Sequence, residues 1–194
     1  HWFEKPALLY WLQIAAYSLF GVSEFSARLG SALFGLGTIG GLWILGRSVD
    51  RAGDFANWLA LISASSIGLI VFSRGASFDI MLTFPITAAM VCFFVHDLAS
   101  NLDDRRSNAI APLFGFYFFI GVALLAKGLV GIVFPFAIVG CYLLISRRSP
   151  SRVFLTSLVW GTAIAAAVAA TWYLPMYLRN GWEFIDEFFI QHHF

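Results

Sequence analysis

Six long apolar runs, at residues 26–46, 55–73, 78–98, 109–126, 128–146 and 153–176, are separated by short polar breaks. Each is close to the roughly 20 residues a helix needs to cross the hydrocarbon of a bilayer. None alternates apolar and polar positions with period two, so strands are not predicted. Backbone polar groups have no water partner in lipid, and runs that must satisfy their own N–H and C=O groups form helices. The pattern predicts an all-α polytopic membrane bundle, with about six transmembrane helices over 26–176. The stretch before it, residues 6–20, is too short to span comfortably. Pro6 suits a first helical turn, which needs no N–H at that position. Gly21 suits the stop. An interfacial or re-entrant helix is therefore expected over 6–20. After the last run, "RNGWEFIDEFFIQHHF" alternates aromatic residues with acids. Residues 179–194 read as a loop with an interfacial amphipathic helix.

Composition strengthens the membrane reading. Hydrophobic residues make up 60% of the 194 and charged residues only 12%, about half the share of an ordinary soluble domain. Net charge is +1, so no bulk positive field recruits nucleic acid. Cys92 and Cys141 lie inside apolar runs and read as small buried hydrophobes, without disulfide or metal spacing. Basic residues set the orientation. Alternate breaks fall on alternate sides, which puts Arg47, Arg51, Arg105, Arg106, Arg147, Arg148 and Arg152 on one side. Lys5, Arg28, Arg74, Lys127 and Arg179 fall on the other. The basic doublets all lie on the first side, which is read as cytoplasmic.

The opposite, outer side carries the candidate chemistry. Its breaks are very short yet charged, and charge close to hydrocarbon is costly and often functional. Arg28 and Arg179 read as side chains snorkelling to the interface. In "FSRGASFDIML", Gly75 lets the chain turn after Arg74, and Ser77 can cap the next helix. Asp79 then falls in the first turn, where the helix dipole favours a carboxylate. It is either a dipole-complementing residue or an ionised carboxylate facing a surface cavity. In "LLAKGLVGIVFP", Lys127-Gly128 is the whole connection between two apolar runs. Lys127 is either a boundary marker or an anion contact. With Lys5 and Arg74 on the same side, three cations could surround a phosphate. Glu183, Asp186 and Glu187 read as the wet side of the last helix, and the adjacent His192 and His193 are weak metal evidence by themselves.

Taken in order, "FEKPALLYW", "GVSEFSARLGSALFG", the "FD" before a span, "AKGLVGIVFP" and "WEFIDEFFIQHHF" resemble the membrane glycosyltransferases that use a polyprenyl-phosphate sugar. That family includes bacterial aminoarabinose transferases acting on lipid A and is related to the protein O-mannosyltransferases. The resemblance runs over essentially the whole chain. It implies a C-type glycosyltransferase fold in the bacterial inner membrane, multi-pass, with the active site facing the periplasm. It implies transfer of a sugar from the carrier to lipid A, a glycan or a protein, among membrane lipids. Asp79 matches the family's second acidic position and is expected to be catalytic or to position substrate. Lys5, Arg74 and Lys127 are expected to bind the donor phosphate. Glu4, Lys5 and Pro6 match a Glu-Lys-Pro motif. A divalent metal of unknown identity is expected near Glu4 and His193, the latter chosen over His192 by alignment on Phe188-Phe189. The family's Asp-Glu motif after its first span has no counterpart here. The expectation is therefore that 1–194 is part of one transmembrane domain, truncated at both ends and inactive by itself.

Two other classes fit parts of the pattern. A secondary transporter also places charge near helix breaks, but near mid-membrane and in repeated halves; no repeat is visible. A non-catalytic assembly subunit would need none of Lys5, Asp79 and Lys127 on one side.

Overall fold

The computed structural model describes residues 6–51, 53–102 and 110–185. Among them every regular element is a helix: α1 (Leu8–Phe20), α2 (Glu24–Val49), α3 (Phe55–Ser65), α4 (Ile67–Arg74), α5 (Phe78–Leu102), α6 (Ala111–Lys127), α7 (Val130–Ser146), α8 (Arg152–Asn180) and α9 (Trp182–Ile185). The apolar runs and the helices coincide within a few residues. By length and composition α2, α5 and α8 can each cross a membrane, and α3 with α4 makes a fourth, bent candidate. The helices α6 and α7 have 17 residues each. At 1.5 Å per residue each is about 25 Å long, the lower limit for a crossing.

The run at 55–73 differs from its expected straight span. Its two halves meet at 60°. The cause is local chemistry in "SASS". The Ser63 hydroxyl donates to the Leu59 carbonyl at 2.6 Å and the Ser65 hydroxyl to the Ile62 carbonyl at 3.0 Å. Such back-bonding competes with the helix ladder and bends it. Ser66 then adopts extended backbone, φ −66° and ψ 121°.

The packing is that of a membrane bundle, with apolar side chains outward and small or polar ones inward. Val22, Ile145 and Val159 are more than 80% exposed, whereas Ser26, Ser31 and Ser157 are fully buried. Small residues let helices approach closely where no hydrophobic force drives them together. A Cβ on Gly161 would collide with the Tyr117 ring. Beside it, Ser157 gives its single proton to the Phe154 carbonyl, so Tyr117 donates to Ser157 Oγ at 2.9 Å. Among the described residues no buried side-chain polar atom lacks a partner, and the pair sits in an apolar core built around Phe93, Leu113, Phe116, Tyr117 and Ile120. Cys141 departs from the sequence expectation. It is exposed on the outward side of α7, and only Cys92 is partly buried.

Contacts define two ends. At the lower end, Trp43 meets Asn57, Asp97 meets Tyr142, and His96 meets Ser151. At the upper end lie Asp79 with Lys127, and Phe184 against Trp172 and Tyr173. Helix α1 makes contacts toward the upper end: Gln13 donates to the Ala27 carbonyl, and Leu8 and Leu9 pack with Ile80, Met81, Leu125 and Ala126. It ends at Gly21, φ 75°, as the sequence suggests.

Candidate functional site

The upper end is assembled from helix termini. Ser77 precedes α5 and its hydroxyl accepts the Asp79 N–H at 3.2 Å, the expected cap. The Ser77 N–H in turn donates to Ser31 Oγ at 3.3 Å, which ties the loop to a fully buried point of α2. The turn at Gly75 has φ −95° and ψ 159°, a conformation open to any residue, so glycine's freedom is not what makes it. Asp79 therefore sits in the first turn of α5, at the positive end of its dipole.

Lys127 is the last residue of α6. The chain stops there because Gly128 takes φ 66° and sends its N–H back to the Leu124 carbonyl, a conformation that side chains disfavour. Helices α5 and α6 run antiparallel, since Phe84 meets Phe119 and Asp79 meets Lys127. The positive start of one helix thus lies beside the negative end of the other, and each charge suits its own terminus. The two meet directly: Lys127 Nζ donates to Asp79 Oδ1 at 2.7 Å. Both side chains are about half exposed, 46% and 53%. An exposed pair of this kind stabilises by only about 0.2–1 kcal/mol, so an incoming anion or hydroxyl can rearrange it at little cost. Two ammonium protons and the second carboxylate oxygen have no protein partner among the described residues.

Arg74 lies elsewhere on the same end. It lines a cavity of 330 Å³ with Glu24, Phe25, Arg28 and Ser73. The bend at Ser66 turns α4 toward α2, and this carries Arg74 to the α2 side. Arg28 pairs with the exposed Glu24 at 3.1 Å, one helical turn away. Among the described residues no contact joins Arg74 to Asp79 or Lys127. Glu4, Lys5, Asp186, Glu187, His192 and His193 lie outside the described residues. Glu183 is exposed, as expected for a wet face, while Phe184 is buried against Trp172, Tyr173 and Met176.

No three His, Cys, Asp or Glu side chains converge on one point among the described residues. Glu4 and His193, the residues expected to hold a metal, lie outside the described residues.

Sequence reasoning missed a polar network at the lower end. His96, 1% exposed, has Nε2 at 3.0 Å from Ser151 Oγ. Its neighbour Asp97 accepts from the Tyr142 hydroxyl at 2.7 Å and lies 3.5 Å from Arg148. Arg148 is thus tied to α5 rather than marking topology alone. The available signal was the titratable dipeptide His96-Asp97 at the end of an apolar run.

The sequence profile of the dolichyl-phosphate-mannose-protein mannosyltransferase family matches residues 1–188. An undecaprenyl phosphate-alpha-4-amino-4-deoxy-L-arabinose arabinosyl transferase of Aeromonas salmonicida is 29% identical over 98% of this chain and 34% of its own. The crystal structure of ArnT from Cupriavidus metallidurans in the apo state matches with a TM-score of 0.80 and 28% identity, over 100% of this chain and 35% of that one. The same protein bound to undecaprenyl phosphate gives 0.77 and 27%, over 99% and 34%. The chain spans about a third of the length of these relatives.

Proposed function

Because the chain belongs to the dolichyl-phosphate-mannose-protein mannosyltransferase family, we propose that it forms part of a membrane enzyme that moves a sugar from a polyprenyl-phosphate carrier to an acceptor. The fold is that of the C-type glycosyltransferases, as in ArnT. The observation that carries the reading is the exposed pair of Asp79 and Lys127 on two helix termini at one end of an apolar bundle. The carrier's tail is insoluble in water, so its phosphate and the site must meet at the membrane surface. Relatives named for undecaprenyl phosphate make that isoprenoid the first candidate carrier. The acceptor is lipid A, another glycan or a protein.

The chemistry is a displacement at the anomeric carbon. The bond from that carbon to the phosphate oxygen breaks, and the electron pair leaves with the polyprenyl phosphate. The acceptor's oxygen or nitrogen forms the new bond and gives up its proton. Charge grows on the leaving phosphate, so a cation held there stabilises the transition state more than the ground state. Lys5 and Lys127 take that role, and Arg74 offers a further contact from the α2 side. When Lys127 turns toward the phosphate, Asp79 is released to position the acceptor or sugar, or to take its proton. A divalent ion near Glu4 and His193 remains part of the proposal.

The chain is read as one portion of a single transmembrane domain, with an interfacial helix at 6–20, about six crossings over 26–176 and an interfacial segment at 179–194. The protein is a multi-pass protein of the bacterial inner membrane, with the end bearing Asp79 and Lys127 facing the periplasm. The contacts of α1 with residues near the upper end support the interfacial placement. The sidedness predicts the labelling of Ser149, an exposed residue of the lower end. Ser149→Cys, as the sole cysteine of the full-length protein, should resist an impermeant thiol reagent added outside intact cells and react after permeabilisation. Labelling from outside would put the site on the cytoplasmic face. The activity itself is tested with the full-length protein in membranes, given undecaprenyl-phosphate sugars and identifying products by mass spectrometry. Transfer of a sugar with release of undecaprenyl phosphate is the expected result; substrate uptake without transfer would favour a transporter.

A further inference from the structure

The lower half of the bundle carries a second cavity system, away from Asp79 and Lys127. An apolar groove of 550 Å³ opens sideways between α2, α5 and α6. Its floor lacks side chains where Gly37, Gly40 and Gly41 follow one another along α2, and Phe84 and Phe119 form one wall. A second cavity of 260 Å³ adjoins it, with Ile44 and Val95 lining both. That lower cavity is different in kind: Trp43, Arg47, Ser48 and Arg51 surround it. Gly37 at one end of the groove and Arg47 in the adjoining cavity are about 15 Å apart along the helix. A chain-shaped apolar slot thus ends in two guanidinium groups and a hydroxyl, beside a tryptophan held at the boundary by its N–H bond to Asn57 at 3.1 Å.

Both arginines are exposed and neither has a carboxylate partner among the described residues. The nearby acids are turned to their own turns: Asp50 accepts the Gly53 N–H at 2.9 Å, and Asp54 accepts from the Asn57 amide at 3.4 Å. Neither lines the cavity. Guanidinium groups bind phosphate oxygens in pairs of charge-assisted bonds, and basic pockets between helices at a membrane boundary suit anionic headgroups. We propose that this groove holds an anionic phospholipid, its phosphate on Arg47 and Arg51 and one acyl chain over Gly40 and Gly41. The cationic cavity at the lower end favours this occupant over the polyprenyl carrier, whose phosphate the proposed function puts at the upper end.

The test uses the full-length protein purified in non-ionic detergent. It is incubated with phosphatidylglycerol or with phosphatidylcholine of the same chains, and bound lipid is counted by native mass spectrometry. Phosphatidylglycerol should be retained at least about fivefold more than phosphatidylcholine. Arg47→Gln with Arg51→Gln should erase that preference while leaving phosphatidylcholine unchanged. Gly40→Leu should lower retention of both lipids by at least about fivefold. A Cβ there meets no atom within 4 Å, and losing a mid-helix glycine favours the helix, so this variant should fold. It decides the matter even if the double variant aggregates. Equal retention of the two lipids, a preference that survives the double substitution, or binding untouched by Gly40→Leu would each overturn the proposal. So would recovery of a lipid-free dimer, or of undecaprenyl phosphate as the species displaced by leucine.

Discussion

Asp79→Asn in the full-length enzyme should lower sugar transfer at least about tenfold, equivalent to ~1.4 kcal/mol of transition-state stabilisation, while the protein folds and accumulates normally. Asparagine keeps the size of aspartate and one carbonyl oxygen, so Lys127 can still donate where it now does, at 2.7 Å to Oδ1. What is lost is charge: the attraction to the ammonium, the fit to the start of α5, and any capacity to take a proton. The first two are small at a half-exposed site, about 0.2–1 kcal/mol for the pair and a similar amount for the terminus. A tenfold fall in kcat at matched abundance, with a thermal midpoint displaced by only a few degrees, therefore assigns Asp79 to the reaction. Activity that merely tracks abundance would make the pair a clamp between α5 and α6. Lys127→Met sharpens the distinction. It leaves Asp79 charged but unpaired, so a clamp would lose as much by either change. A site that uses Lys127 on the phosphate and Asp79 on the acceptor should show different splits between KM and kcat.

The sidedness of that pair was readable before its contact was. Counting apolar runs places Asp79 and Lys127 on one face because two crossings separate them. Nothing in the pattern says that residues 48 apart touch at 2.7 Å. That follows from the antiparallel packing of α5 on α6, which small residues such as Gly115, close against Cys92, permit. Helix positions were legible for a simple reason: lipid demands unbroken apolar length, so the ends are marked by charge. The bend at Ser66 was less legible, because a run of serines costs little hydropathy while its hydroxyls redirect the backbone. That bend also decides the fate of Arg74, which sequence groups with Lys127 but α4 carries toward Glu24 and Arg28. The network of His96, Asp97, Tyr142, Arg148 and Ser151 was hidden for another reason. Its members come from the later part of α5, the later part of α7 and the connection from α7 to α8, and only the three-dimensional arrangement gives their polar groups to one another. The cavity at Arg47 and Arg51 is legible only once α2 and α5 are known to run side by side in the same direction.

Lys5→Met should reduce transfer by about a hundredfold, ~2.7 kcal/mol, the scale on which a preorganised charge stabilises a developing anion. The argument rests on where α1 begins. Pro6 and Ala7 are buried, and Leu8 and Leu9 pack against Ile80, Met81, Leu125 and Ala126. Those four neighbours flank Asp79 and Lys127 in sequence, so the start of α1 is fixed beside the ion pair. Lys5 immediately precedes Pro6, whose ring restricts the residue before it to extended backbone. Lys5 is one residue from this buried start of α1 in sequence and is proposed to meet the phosphate directly, whereas Lys127 must first leave Asp79. Lys5 should accordingly be the stronger phosphate ligand of the two. Methionine keeps the apolar stem and removes the charge. Arginine keeps the charge but replaces a compact ammonium with a planar fork, so Lys5→Arg should retain part of the activity. An anchoring role at the interface would tolerate arginine fully, and methionine would then lower membrane insertion rather than turnover. The decisive comparison is turnover of Lys5→Met and Lys5→Arg at equal amounts of inserted protein. Full turnover by a well-inserted Lys5→Met would remove Lys5 from the phosphate site and leave Lys127 and Arg74 to carry it.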